Sequence, residues 1–144
     1  MEVSYFDIGS VPLKLYRAEV PRGTVVAVHG FGGSKESGAI ERLAQFVCDK
    51  GLNVLTFDLP AHGERTETAA ELSVEKCIED LLTAERYAKE LGGELYAFAT
   101  SFGGMCMLHR LERFSDGYRK VVLRVPAVDM SESLLRVAGM CDKD

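Results

Sequence analysis

Three short, nearly uninterrupted apolar runs constrain the fold of this chain more than any other feature of its sequence. They cover residues 24–28, 53–57 and 95–99, and each ends in a loop that is rich in glycine or polar residues. Such runs are typical of strands that are buried on both faces of a parallel sheet. The segments between them carry apolar residues at helical spacing, which favours right-handed crossovers through helices. The sequence therefore predicts an α/β fold, with a mostly parallel sheet and helices on both of its faces.

The flanking segments complete this predicted sheet. Residues 3–8 and 13–20 alternate partly between apolar and polar side chains and predict an antiparallel pair of strands. The strand predicted over residues 120–125 is the sixth and last. The predicted helices, in chain order, run from about Ile40 to a stop at Gly51, from a Ser73 cap to Gly92, over 102–111, and from 131 to 139.

The composition narrows the classes of function. The 144 residues suit one domain, 1–144, and 47% hydrophobic with 27% charged residues is typical of a globular protein. A formal net charge of -5, with Lys and Arg scattered along the chain, argues against a nucleic-acid partner. No apolar run approaches the ~20 residues of a membrane span, and the N-terminal segment lacks a signal-peptide pattern. We therefore expect a cytoplasmic protein.

The four cysteines do not favour a metal or redox site. Cys48, Cys77, Cys106 and Cys141 are far apart in the sequence, and none belongs to a CxxC pair. The first three lie in apolar, helix-like stretches, where a reduced thiol behaves as a small hydrophobic group. We therefore expect neither a metal ion nor a cofactor.

The clearest chemical motif is the segment ATSFGG, residues 99–104, between a buried strand and a helix. A serine at a sharp strand-to-helix turn is held in a strained backbone conformation with its hydroxyl exposed above the sheet. The strain requires small residues two positions before and two positions after the serine, as Ala99 and Gly103 are. Ser101 is therefore a candidate nucleophile, although a serine at this place can also serve only as a helix N-cap.

A second motif, HGFGGS at residues 29–34, follows the first parallel strand. Its glycines allow backbone N–H groups to point towards the serine on the neighbouring strand. Acyl transfer needs two such donors for the oxyanion of its tetrahedral intermediate, and the natural pair is the N–H of Phe31 and the N–H of Phe102. His29 is expected to support the loop by hydrogen bonding. The alternatives are a simple loop or a phosphate cradle, but the glycine spacing matches neither the dinucleotide-binding nor the P-loop pattern.

The motifs HGFGG, FDLPAHGER and ATSFGG, in this order and separated by strands and helices, resemble those of the α/β-hydrolase superfamily. The resemblance is to its serine esterase, lipase and aminopeptidase-like members, and it extends from about Tyr16 to Val125. It implies that Ser101 is the nucleophile and that Phe31 and Phe102 supply the oxyanion hole. The implied substrate is a small molecule with an acyl bond, such as a carboxylic ester.

The general base is harder to place. In this family the triad follows the order Ser, Asp or Glu, His. The only histidine after Ser101 is His109, about 12 Å further along a helix and so beyond hydrogen-bond reach. His62 is a candidate substitute base, although the resemblance gives its loop a structural role. Asp129 follows the last strand, where some family members place their acid, but it could equally cap a helix near Ser131.

The family fold typically continues with two more strands, so the sequence predicts a partial domain that is truncated after the sixth strand. Three interpretations remain. The chain is the N-terminal part of a longer serine hydrolase, or a short protein whose exposed sheet edge pairs with a second copy as a homodimer, or a non-catalytic binding or structural protein. We favour the first as the origin of the sequence, and expect weak or no turnover by this chain alone.

Overall fold

The structure is a computed structural model that describes residues 1–114 and 117–124. Six strands form one sheet, and helices pack on both of its faces. The elements, in chain order, are β1 (Glu2–Ile8), β2 (Val11–Arg17), β3 (Gly23–Val28), α1 (Gly38–Val47), β4 (Leu52–Phe57), α2 (Val74–Glu90), β5 (Glu94–Thr100), α3 (Phe102–Arg113) and β6 (Lys120–Arg124), with 3-10 turns at Cys48–Lys50 and Ala69–Glu71.

The strand order in the sheet is β1-β2-β4-β3-β5-β6. Strands β4, β3, β5 and β6 are parallel neighbours, whereas β2 pairs antiparallel with β4, and β1 antiparallel with β2. This confirms the predicted mostly parallel sheet with an antiparallel pair at its start. Because β3 lies between β4 and β5, the loops that follow these three strands meet at the same edge of the sheet.

Two hydrophobic layers hold the helices on the sheet. The larger layer includes Val26 of β3, Leu81 of α2 and Met105 of α3. The smaller layer, on the opposite face, includes Val25 of β3 and Ile40 of α1. Because successive strand residues point to opposite faces, β3 is buried at every position, as its uninterrupted apolar run predicts. Each fully buried side chain of this size stabilises the fold by about 1.5–3 kcal/mol.

Some element boundaries differ from the prediction for identifiable reasons. Strand β2 ends at Arg17 instead of residue 20, because the Ala18 N–H donates to the Asn53 side chain (2.8 Å) and leaves the ladder. Helix α1 ends at Val47, and a 3-10 turn then leads to Gly51, whose φ of 85° ends the helical segment at the predicted stop. The predicted Ser73 cap is confirmed, since its side chain accepts a hydrogen bond from a backbone N–H of α2.

Several predictions fall on residues that the structure does not describe. These are the helix over 131–139, the candidate acid Asp129 and the last residue of the sixth predicted strand, Val125. Within residues 1–114 and 117–124, no helix is long and apolar enough to cross a membrane.

Candidate active site

Ser101 occupies a strained turn between β5 and α3. Its backbone angles are φ 49° and ψ -119°, which is a conformation that favours glycine, and its side chain makes no capping hydrogen bond to the helix. The backbone fixes the turn on both sides, because the Ser101 N–H donates to the Arg124 carbonyl (3.1 Å) and its carbonyl accepts from the Met105 N–H (3.2 Å). The turn thus leaves the exposed Ser101 side chain at the carboxyl edge of the sheet.

Glycines allow the backbone around this serine to pack closely. A Cβ atom added at Gly30 would lie 3.2 Å from the Cβ of Ser101, so the loop after β3 lies directly against the serine. A Cβ atom added at Gly103 would lie 2.7 Å from the Val28 carbonyl oxygen and closer still to that of His29. The first turn of α3 can therefore approach β3 only because residue 103 has no side chain.

Two backbone donors near Ser101 are free. In the described part of the chain, neither the Phe31 N–H nor the Phe102 N–H donates to any other group. Phe102 is the first residue of α3, where an N–H has no partner within the helix and where the helix dipole favours a negative charge. Both residues are those that the sequence predicts as oxyanion donors.

Two histidines bind the loop after β3 to the loop after β4; these are termed the glycine loop (residues 29–35) and the β4–α2 loop (residues 58–73). His29 Nε2 accepts the Leu59 N–H (3.1 Å), and His62 Nε2 accepts the Gly32 N–H (2.8 Å). Each loop thus supplies an imidazole to a backbone donor of the other. The proton of each ring therefore lies on Nδ1, from which His29 donates to the Gly30 carbonyl (2.7 Å) and His62 to that of Pro60 (2.9 Å).

Burial lowers the pKa of His29 to about 4. Its side chain is fully buried, and a charged imidazole would lose its hydration there. The hydrogen bond to the Gly30 carbonyl opposes this effect only in part. His29 is therefore neutral at physiological pH and fits the supporting role that the sequence suggests for it.

A buried carboxylate joins the same two loops at a second point. Asp58 accepts hydrogen bonds from the backbone N–H groups of Lys35 (2.8 Å) and Glu64 (2.9 Å), and it forms an ion pair with the Lys35 ammonium (2.9 Å). Burial by itself would raise the pKa of Asp58, but these bonds and the lysine charge outweigh it and lower the pKa overall. Gly63 is required here, since a Cβ atom at this position would overlap the Asp58 carboxylate.

Aromatic side chains flank the serine. The Phe31 ring makes edge contacts with His62 (5.3 Å between centroids) and with Phe102 (6.4 Å). A cavity of about 260 Å³ lies between the two loops and is bounded by Phe31, His62, Ala61 and Leu72. The lining of this cavity does not include Ser101, and the apolar groups beside the serine are the rings of Phe31 and Phe102.

The structure brings together most, but not all, of the candidate residues. Ser101, Phe31 and Phe102 lie side by side, with His62 in contact with Phe31. The acceptor nitrogen of His62 is occupied by the Gly32 N–H, so in this structure the ring offers no lone pair to the serine hydroxyl. His109 is a partly exposed residue of α3 beside Glu112, with 3.9 Å between the His109 Nδ1 and a carboxylate oxygen of Glu112.

The ion pairs that fix the β4–α2 loop are not predicted from the sequence. Besides the Asp58 cluster, Arg65 bridges Glu67 (2.5 Å) and Asp80 of α2 (2.6 Å). The local signal was the charge density of the segment FDLPAHGER, where an aspartate directly follows a buried strand. The partners Lys35 and Asp80 lie 23 and 15 residues away from Asp58 and Arg65, which is a separation that sequence spacing alone does not reveal.

A comparison with protein families decides the assignment. The family model described as serine aminopeptidase, S33, an α/β-hydrolase family, matches residues 19–141, which is most of the chain. The chain belongs to this α/β-hydrolase family. Among curated proteins, the Synechocystis protein slr0264, whose name proposes an esterase, is 30% identical over 106 residues, covering 68% of this chain and 29% of the relative.

Solved α/β hydrolases share the fold. The esterase Est1E from Butyrivibrio proteoclasticus, determined with ferulic acid, matches 93% of this chain and 56% of its own length, with a TM-score of 0.75 at 22% identity. A monoacylglycerol lipase from Paleococcus ferrophilus matches 96% of this chain and 51% of its own, with a TM-score of 0.67 at 26% identity. This α/β hydrolase chain thus spans about half the length of these solved relatives and 29% of the curated one.

Proposed function

We propose that this chain carries the nucleophile and the oxyanion hole of a serine hydrolase that acts on a carboxylic ester or a related acyl bond. The observation that carries the proposal is the strained φ of 49° at Ser101, in direct contact with Gly30 of the glycine loop. Strain at a residue other than glycine persists where the surrounding structure enforces it, and such residues cluster at functional sites. The names of the relatives, an esterase and a monoacylglycerol lipase, favour ester substrates.

In the proposed reaction, Ser101 Oγ attacks the carbonyl carbon of the substrate. The electron pair of the C=O bond moves to the oxygen, and the N–H groups of Phe31 and Phe102 bind the resulting oxyanion. The serine proton passes to a general base and then to the leaving alcohol, so that an acyl-enzyme forms and is later released by water. No cofactor takes part in these steps.

Among the residues that the structure describes, no histidine is placed to act as the general base. All three histidines of the sequence are described, and none has an acceptor nitrogen directed at Ser101: those of His29 and His62 bind backbone N–H groups, and His109 lies on α3 beside Glu112. Removing triad members elsewhere leaves residual catalysis of about 10³–10⁴-fold over water, from the oxyanion hole and binding. We expect the same from this chain when it acts alone.

The same observation favours a second candidate, a non-catalytic binding or structural protein that retains the hydrolase scaffold. Strand β6 is the outer strand of the described sheet, and the side chain of Val122 on it is 56% exposed. An outer strand of this kind can pair with a second copy of the chain. A dimer in sedimentation of the purified chain would support edge pairing, whereas modification of Ser101 is what separates this candidate from the hydrolase proposal.

A fluorophosphonate probe together with a small ester tests the proposal. We expect mass spectrometry to find the probe on Ser101, none on the variant Ser101→Ala, and little hydrolysis of 4-nitrophenyl acetate. Modification of Ser101 with little turnover is the signature of an intact elbow without a base. An unmodified Ser101 in a folded chain would favour the non-catalytic candidate.

A further inference from the structure

The Phe31 N–H is directed by the two peptide groups that flank its Cα atom. The first peptide group contains the Gly30 carbonyl and the Phe31 N–H, which point in opposite directions because a trans peptide is planar. The Gly30 carbonyl accepts from His29 Nδ1 (2.7 Å) and from the Gly33 N–H (3.0 Å). The Phe31 N–H is therefore turned away from these partners and left free.

The second peptide group contains the Gly32 N–H, and His62 holds it. Its hydrogen bond to His62 Nε2 is 2.8 Å long and links the glycine loop to a ring on the β4–α2 loop. Gly32 has a φ of 81°. Because glycine adopts positive and negative φ about equally readily, the residue itself does little to fix the conformation of the loop. The Gly33 N–H bond to the Gly30 carbonyl closes the turn around this peptide group, and His62 adds an acceptor from outside the glycine loop that fixes its N–H.

The His62 ring is itself held in place. It donates from Nδ1 to the Pro60 carbonyl (2.9 Å), contacts the edge of Phe31, and is 8% exposed. The preceding residue, Ala61, has a φ of 66°, which is unfavourable for alanine by about 1–2 kcal/mol. The fold therefore maintains local strain in the residue next to this histidine, which is common beside functional sites.

We propose that His62 is a positioning residue for the oxyanion hole: its Nε2 holds the Gly32 N–H and thereby directs the Phe31 N–H towards the oxygen of the substrate. This role replaces that of a substitute base, since the same nitrogen cannot accept both the Gly32 proton and the serine proton. The inference deepens the proposed function and rests on it. The feature of the His62 side chain that this role requires is a hydrogen-bond acceptor at the position of Nε2.

Two substitutions separate this acceptor from the rest of the ring. In His62→Gln, the amide oxygen can reach the position of Nε2 and accept the Gly32 N–H. In His62→Asn, the shorter amide reaches only the position of Nδ1, so it keeps the bond to Pro60 and loses the acceptor. His109→Gln on α3 is the matched control, because this partly exposed histidine lies outside the two loops.

The first readout is the rate at which a fluorophosphonate modifies Ser101 in the complete chain. We expect His62→Asn to slow this reaction about tenfold, the equivalent of one neutral hydrogen bond. His62→Gln should stay within about threefold of the parent chain, and His109→Gln should leave the rate unchanged. Equal slowing by the Asn and Gln variants, or slowing by neither, would overturn the positioning role.

The second readout needs no chemistry at Ser101. In ¹⁵N spectra, we expect the His62 ring to be protonated at Nδ1 and unprotonated at Nε2, and the Gly32 and Phe31 amides to shift in His62→Asn but not in His62→Gln. A neutral ring with its proton on Nε2 would overturn the inference. If the amides behave as expected but Ser101 is never modified, the hydrolase proposal fails and the control of the glycine loop by His62 stands.

Discussion

The substitution Gly103→Ala tests the close approach of α3 to β3 that brings Ser101 beside the glycine loop. The added methyl group would lie 2.7 Å from the Val28 carbonyl oxygen, whereas ordinary contact begins at 3.4 Å, and it would lie closer still to the His29 carbonyl. Both atoms belong to the backbone of a central strand and its first loop residue, so neither can rotate away. Helix α3 must therefore move outward by about 0.7 Å or more.

The magnitude follows from two opposing contributions. Alanine in place of glycine inside a helix ordinarily stabilises by about 1 kcal/mol. Overpacking of a rigid interior costs about 1–3 kcal/mol, and the upper end applies where the overlap is with backbone. We expect Gly103→Ala to lower the free energy of unfolding by about 2 kcal/mol.

Urea denaturation followed by circular dichroism measures this difference, with Gly38→Ala as the matched control. Gly38 is also a helical glycine, but a Cβ atom there would meet only the flexible end of Arg42 at 3.4 Å. The control should therefore keep the helical gain of up to about 1 kcal/mol and should not lower the free energy of unfolding. If Gly103→Ala proves as stable as the parent chain, α3 does not approach β3 as described, and the reasoning that places Ser101 against the glycine loop fails with it.

Three further substitutions extend these expectations to other parts of the molecule. Burial lowers the pKa of His29 to about 4, whereas its pKa in the unfolded chain is about 6.5, so the unfolded chain binds this proton first as the pH falls. The free energy of unfolding should therefore drop by about 3 kcal/mol between about pH 6.5 and 4. Urea midpoints compared across this pH range should show no such drop for His29→Gln. Ser101→Gly relieves the strained turn and removes no capping hydrogen bond, so thermal denaturation should find this variant about 1 kcal/mol more stable than the parent chain. A lower stability of the variant would argue against strain at Ser101. Arg110→Met leaves Glu85, its buried partner at 2.8 Å, without a countercharge and should cost about 3–5 kcal/mol, whereas the pair Arg110→Met with Glu85→Leu should recover most of the loss.

The sequence predicts the sheet well because its strands are short apolar runs with no competing helical pattern. The runs at 24–28 and 53–57 appear as β3 and β4 with only one more residue at the start of each. The close packing at the glycines of the motifs could also be predicted from the sequence, since a strained turn limits the size of its neighbouring residues. Boundaries failed where side chains took over backbone hydrogen bonds, as Asn53 does for Ala18.

The arrangement of the glycine loop and the β4–α2 loop could not be predicted from the sequence. That His62 binds Gly32, and Asp58 binds Lys35, depends on how β3 and β4 lie side by side in the folded sheet. A histidine in a loop suggests a base as readily as a support, and only the hydrogen-bond partners of its ring nitrogens distinguish the two. The strain at Ala61 has no signal in residue type, because alanine rarely adopts a positive φ.

Titration of the complete chain with butylboronic acid tests most directly the claim that Ser101 and two backbone donors form one site. Boron can bond to Ser101 Oγ and form a tetrahedral anion, so the test requires no general base. We expect a tetrahedral ¹¹B signal together with downfield shifts of the Phe31 and Phe102 amide protons, and neither change in Ser101→Ala. A folded chain that gives no boron adduct, or an adduct that leaves both amides unshifted, would contradict the account.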